Sequence, residues 1–144
     1  MIVSACLLGV ACRYDGRNCA DSAVLEEIAG KRFLVVCPEQ LGGLTTPREP
    51  AFLTGGDGFD VLDGQARVIT RSGRDVTEQF LRGADEVLKI AALSGGAKRL
   101  LLKEKSPSCG VTQTTIDDRK RAGCGVTAAL MSRAGYRLEG WGAR

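Results

Sequence analysis

The chain has 144 residues, 44% hydrophobic and 26% charged, with twenty Lys and Arg against seventeen Asp and Glu for a net charge of +3. That length can bury an apolar core without covalent staples, and a mean hydropathy of −0.03 fits a soluble domain better than a disordered or membrane-spanning one. The charge is too mild to argue a nucleic acid or a membrane surface as partner. The absence of histidine removes Ser-His-Asp and Cys-His catalysis, His-ligated haem and the H-E-x-x-H zinc site.

Met1–Ser4 is a short apolar run suited to a buried strand, and Cys6–Arg17 reads as a glycine-punctuated loop. Asp21 or Ser22 can cap a short helix carrying Val24, Leu25 and Ile28, which Gly30 ends. Arg32–Val36 predicts a second buried strand stopped by Pro38. Leu41–Gly58 reads as a long irregular segment, and long loops in compact domains are commonly functional. Phe59–Leu62 and Ala66–Thr70 flank Asp63-Gly64, a favoured two-residue hairpin turn. Asp75, with Glu78 three residues on, opens a helix whose apolar positions Phe80, Leu81, Ala84, Val87, Leu88 and Ala91 repeat at helical spacing until Gly95-Gly96. Arg99–Lys103 predicts a third buried strand. A glycine- and charge-rich stretch follows, in which Asp117–Arg121 reads as a solvated loop. A helix from about Val126 to Ala134 and a strand over Tyr136–Glu139 complete the chain.

This alternation predicts an α/β fold, a single domain over residues 1–144 with a mainly parallel sheet and a β-hairpin insertion. The chain's six thiols are Cys6, Cys12, Cys19, Cys37, Cys109 and Cys124. Cys6 follows the first strand, Cys37 the second, and Cys109 lies in the loop after the third. In a parallel sheet those loops emerge at one carboxyl edge, where ligands bind. The cysteine density lies below that of a disulfide scaffold. The apolar start has no preceding positive residue and is too short for a secretory signal, so a cytoplasmic protein with reduced thiols is expected.

Three thiolates without histidine suit zinc, copper(I) or an iron–sulfur cluster. No paired C-x-x-C knuckle for structural zinc is present, whereas a cluster tolerates distant cysteines. Free cysteine as a small buried hydrophobe is the plain alternative. Glu39, two residues beyond Cys37, is a candidate general acid or base. Ser106-Pro107-Ser108-Cys109-Gly110 gathers hydroxyls and a thiol in one turn, and Arg13 and Arg48 are loop arginines suited to an anionic or amide-bearing ligand.

Several segments together resemble the DUF523 family. They are Ser4-Ala5-Cys6-Leu7-Leu8-Gly9, Cys12-Arg13-Tyr14-Asp15-Gly16 and Cys37-Pro38-Glu39-Gln40-Leu41-Gly42-Gly43 with Pro47-Arg48. To these are added Lys103 followed by Ser106-Pro107-Ser108-Cys109-Gly110, and Gly125-Val126-Thr127-Ala128-Ala129-Leu130. The resemblance spans nearly the whole chain. It implies a Rossmann-like α/β domain and a [4Fe-4S] cluster on Cys6, Cys37 and Cys109. It also implies catalytic help from Glu39 and from a serine, Ser106 or Ser108. The implied reaction is the non-redox hydrolysis of a thiolated pyrimidine or nucleobase, thiouracil to uracil plus sulfide, with a small molecule as partner and no nucleic acid or membrane. A zinc- or thiol-based redox or structural module, and a small α/β ligand-binding domain, are the competing readings of the same thiols.

Overall fold

The computed structural model describes residues 1–142. In chain order the first half contains β1 (Ile2–Ser4), a 3-10 turn (Ala5–Leu8), α1 (Ser22–Ile28), β2 (Leu34–Val36), α2 (Pro38–Leu41), β3 (Ala51–Thr54), α3 (Gly58–Leu62) and β4 (Arg67–Thr70). The second half contains α4 (Thr77–Leu93), β5 (Arg99–Lys103), β6 (Gln113–Ile116), β7 (Arg119–Ala122), α5 (Val126–Arg133) and β8 (Arg137–Trp141).

A first sheet, ordered β2-β1-β5-β8, is parallel throughout. Its central strands alternate between two buried faces. Ile2, Leu100 and Leu102 pack with Val87 and Ala91 of α4 and with Ala128, Ala129 and Met131 of α5. Val3 and Leu101 pack on the other side with Leu7, Val24 and Ile28. Both faces being covered is why these strands are continuously apolar in sequence. Each fully buried aliphatic side chain here contributes about 1.5–3 kcal/mol. The chain moves from β1 outward to β2 and later returns to β5 on the opposite side of β1, so the strand order reverses beside β1. Such a reversal leaves a crevice at the carboxyl ends.

A second sheet is ordered β4-β3-β6-β7, with only β3 and β6 parallel. Leu53 and Val68 of this sheet pack on Phe80 and Ala84 of α4 and on Val126 of α5. The helix α4 therefore serves both sheets, its first half on the second sheet and its second half on the first.

The α/β pattern with a mainly parallel sheet is as expected, and five of its details differ. Phe59–Leu62 does not form a hairpin arm. Asp57 caps α3 by accepting the N–H groups of Phe59 and Asp60, and the Asp60 carboxylate in turn accepts the Asp57 N–H. A capping box thus outweighs the Asp63-Gly64 turn signal. The irregular Leu41–Gly58 stretch contains β3, which takes β4 as its antiparallel partner. A true two-residue hairpin lies at Asp117-Asp118, both at positive φ, so Arg119–Ala122 is strand β7 rather than loop. Finally β2 is an edge strand, with Leu34 and Val35 41% and 46% exposed and only Val36 buried. The helix expected from Asp75 opens at Thr77, while Asp75 accepts the Thr77 N–H and pairs with Arg67.

Gly125 sets the junction between α5 and the turn that follows β5. The N–H groups of Val126, Thr127 and Ala128 donate to the carbonyls of Pro107 and Ser108 at 2.9–3.1 Å, so that turn caps the helix. A Cβ on Gly125 would lie 2.4 Å from the Ser108 carbonyl carbon. Gly125→Ala is expected to destabilise the protein by about 2 kcal/mol or more. Gly96→Ala, which meets nothing within 4 Å, stays within about 0.5 kcal/mol of the parent. Urea unfolding of the two variants checks the contrast.

Candidate active site

Three loops leave the carboxyl ends of β1, β2 and β5 and surround one cavity of about 250 Å³. The first carries Cys6 in its 3-10 turn, then Cys12, Arg13 and Tyr14. The Cys6 carbonyl accepts the Cys19 N–H at 3.0 Å, which folds this loop back on itself. The second begins at Cys37, the N-cap of α2, with Pro38 at the first helical position and Glu39 in the first turn. The third carries Glu104, Lys105, Ser106 and Cys109. Cys6, Cys12, Cys37 and Cys109 all line the cavity, together with Glu39 and Ser106. Cys19 and Cys124 lie outside the lining, and Cys124 instead donates to Asp57 at 3.7 Å.

The two serines of the turn separate in space. Ser106 lines the cavity, and its hydroxyl oxygen accepts the N–H groups of Ser108 and Cys109 at 3.1 and 3.0 Å. Both bonds arrive at the oxygen, which leaves the Ser106 hydrogen available to another acceptor. Ser108 is buried against α5, its hydroxyl without a partner among the described residues.

Helix α2 is set by close backbone approach to α4. A Cβ on Gly42 or Gly83 would lie 2.0 Å from a carbonyl oxygen of the facing helix, that of Gln79 for the first and of Pro38 for the second. Glu39 is then held by Arg48. The Arg48 Nε donates to Glu39 Oε1 at 3.1 Å, Nη1 to the Thr45 carbonyl and Thr46 hydroxyl, and Nη2 to the Cys12 carbonyl at 2.9 Å. One buried fork therefore joins the loop of Cys12, the helix of Glu39 and the segment between them.

Burial pushes the Glu39 carboxyl above the ordinary glutamate range, against the pull of Arg48. The crowded thiols oppose one another's ionisation. Cys12, beside Cys37 and Cys6, is drawn down, while Cys6 is raised by Cys12 and Cys19 and Cys37 by Cys12, with burial adding to both. Burial pushes the Cys109 thiol up to about 12. Arg13, Lys103, Lys105 and Lys120 also line the cavity, and none of them is ion-paired among the described residues. No three His, Cys, Asp or Glu side chains among the described residues converge on a single-ion position. Cys6, Cys12, Cys37 and Cys109 instead share the wall of one cavity, which places soft sulfur from three loops side by side.

The family model for 2-thiouracil desulfurase matches residues 1–140. The chain belongs to this family. Membership makes it an enzyme that cleaves carbon–sulfur bonds. The solved structure of TudS, a [4Fe-4S]-dependent thiouracil desulfidase, matches with a TM-score of 0.81 at 41% identity, covering 97% of this chain and 89% of that one. The YbbK protein of Bacillus subtilis (strain 168) is 45% identical over 141 residues, 96% of this chain and 93% of its own. No helix among the described residues is long and apolar enough to cross a membrane.

Among the residues that line the cavity, Glu104 is the one that sequence reasoning missed. It is 6% exposed and has no cationic partner among the described residues. Its carboxylate accepts the N–H groups of Val111 at 2.6 Å, Thr112 at 3.0 Å and Gln113 at 3.4 Å, and the Thr112 hydroxyl. These bonds close the loop that carries Ser106 and Cys109. A Cβ on Gly140 would lie 2.5 Å from the Glu104 carboxyl carbon, so the glycine of β8 makes room for this side chain. An acidic residue between a strand and a Ser-Pro turn carries no local sign of that role. Burial works to raise the Glu104 pKa, but its Thr112, Val111 and Gln113 donors outweigh burial and hold it below the ordinary glutamate range.

A carboxyl with a lowered folded-state pKa contributes stability that is fully present above its unfolded value, about 4.3. That contribution is lost as the pH falls through the folded value. Glu104→Gln is expected to cost about 2 kcal/mol at pH 7, with the gap to the parent narrowing below about pH 4. Unfolding curves at pH 7 and below pH 4 measure both values, and an unchanging gap contradicts the assignment.

Proposed function

We propose that the chain hydrolyses a thiolated pyrimidine to its oxygen counterpart plus sulfide, with a [4Fe-4S] cluster held by Cys6, Cys37 and Cys109. The observation that carries this reading is the meeting of those three thiols, Glu39 and Ser106 around one cavity at the carboxyl edge of the parallel sheet. The donor set fits the group. It offers soft sulfur without histidine, from four cysteines on the wall of one cavity. When bound, a cluster with three protein ligands supplies an open iron site able to polarise a thiocarbonyl.

The chain's own residues supply the rest. Arg48 engages Glu39 Oε1, and Oε2 has no protein partner among the described residues. Glu39 Oε2 takes the proton of the attacking water as its oxygen bonds to the thiocarbonyl carbon. Ser106 donates its free hydroxyl hydrogen to the charge that develops on the substrate. Carbon–oxygen formation and carbon–sulfur cleavage proceed without net electron transfer, and the two protons of the water leave with the sulfur as hydrogen sulfide, or as hydrosulfide and a proton. The unpaired Arg13, Lys103, Lys105 and Lys120 favour substrates bearing an anionic group, so a thiopyrimidine carrying a phosphate suits the cavity as well as the free base does.

Anaerobic protein is expected to contain iron and acid-labile sulfide and to release sulfide from thiouracil, its nucleoside or its nucleoside 5′-phosphate. Glu39→Ala is expected to lower turnover by about 100-fold or more with iron and sulfide contents unchanged. Near-parental turnover in that variant removes the base role. Colourless protein that binds zinc, or no metal after reconstitution, removes the cluster.

A further inference from the structure

Tyr14 is the one aromatic side chain lining the cavity among the described residues. It is 39% exposed, and its hydroxyl makes no hydrogen bond among the described residues. A ring this exposed on a cavity wall retains apolar surface that a ligand can cover. The backbone beneath it is closed by three hydrogen bonds. The Arg13 carbonyl accepts the Gly16 N–H at 2.9 Å, the Arg13 N–H donates to the Arg17 carbonyl at 3.0 Å, and Asp15 Oδ1 accepts the Arg17 N–H at 3.0 Å. The Arg13 guanidinium lies 5.8 Å from the Tyr14 ring centroid and steadies the ring. The Tyr14 carbonyl accepts the Arg48 N–H at 2.8 Å. Arg48 therefore holds the Tyr14 backbone through its own N–H and Glu39 through its guanidinium, which ties the segment carrying the ring to the carboxylate.

We infer that Tyr14 is the stacking platform for the planar ring of the substrate, a specificity-determining contact that selects flat heteroaromatic thiocarbonyls over flexible thioamides. This rests on the desulfidase reading of the same cavity. Stacking needs a π-face and not the hydroxyl, so Phe serves in place of Tyr. A ring stacked on Tyr14 is bound alike in substrate and oxygen product, so the contact acts on binding rather than on the chemical step.

The test uses the anaerobically purified holoenzyme and its Tyr14→Phe, Tyr14→Leu and Tyr14→Ala variants. Steady-state kinetics with thiouracil is paired with calorimetric binding of uracil and of uridine 5′-monophosphate, which carry no sulfur and undergo no turnover. Tyr14→Ala is expected to raise KM and both dissociation constants by about 5- to 150-fold, the range of a single base–aromatic stack. The loss falls on binding rather than kcat, Tyr14→Leu lies in between, and Tyr14→Phe stays within about twofold of the parent. Equal affinities for the parent and the Ala and Leu variants, or a loss confined to kcat, overturn the inference. Binding of pyrimidines that depends on Tyr14 without sulfide release upholds the stack and removes the desulfidase reading. Sulfide release that is indifferent to Tyr14 does the reverse.

Discussion

Parallel pairing of β1 with β2 on one side and β5 on the other is the constraint on which the site depends. Strands that run the same way deliver all their carboxyl ends to one edge, so three loops far apart in the chain open into one space. Reversal of any one strand would carry its thiol to the opposite end of the sheet. The pairing is held by a two-sided core in which Ile2, Leu100 and Leu102 face one layer of helices and Val3 and Leu101 the other. Stability of the sheet and assembly of the cavity are the same physical event.

Around that edge the side chains are placed chiefly by backbone groups. The first N–H groups of α5 take the carbonyls of Pro107 and Ser108, and Glu104 gathers the N–H groups of Val111–Gln113. Gly42 and Gly83 let α2 settle on α4, so that Glu39 arrives at the cavity on a fixed helix. Arg48 completes the frame by joining two of the three loops through one guanidinium. Charged groups that are buried here carry their partners with them, as a low-dielectric setting demands.

The elements that were legible in the sequence are those whose signals are local and uncontested. The span of β5, the apolar face of α4 and the Asp21 cap of α1 all appear where the periodicity and capping residues put them. The failures came where two local signals competed. Asp63-Gly64 is a good hairpin turn, but the Asp57 and Asp60 capping box just before it makes Gly58–Leu62 helical. Asp117-Asp118, by contrast, carries no hairpin signal, because acidic residues at positive φ look like ordinary solvated loop in sequence. The exposure of Leu34 and Val35 could not be read from an apolar run, since edge and centre strands share that composition.

By itself the sequence determined the α/β class, the parallel connection of the first strands and the choice of thiols, carboxylate and hydroxyls as the available chemistry, because residue identity and periodicity are local properties. Only the tertiary structure decided that Ser106 and not Ser108 faces the cavity, that Cys12 joins Cys6, Cys37 and Cys109 there, and that Glu104 and Arg48 hold the frame. Those outcomes depend on which way a turn docks against α5 and on which distant N–H groups a carboxylate meets. Such contacts are set by packing across the sheet edge and leave no mark on neighbouring residues in the chain.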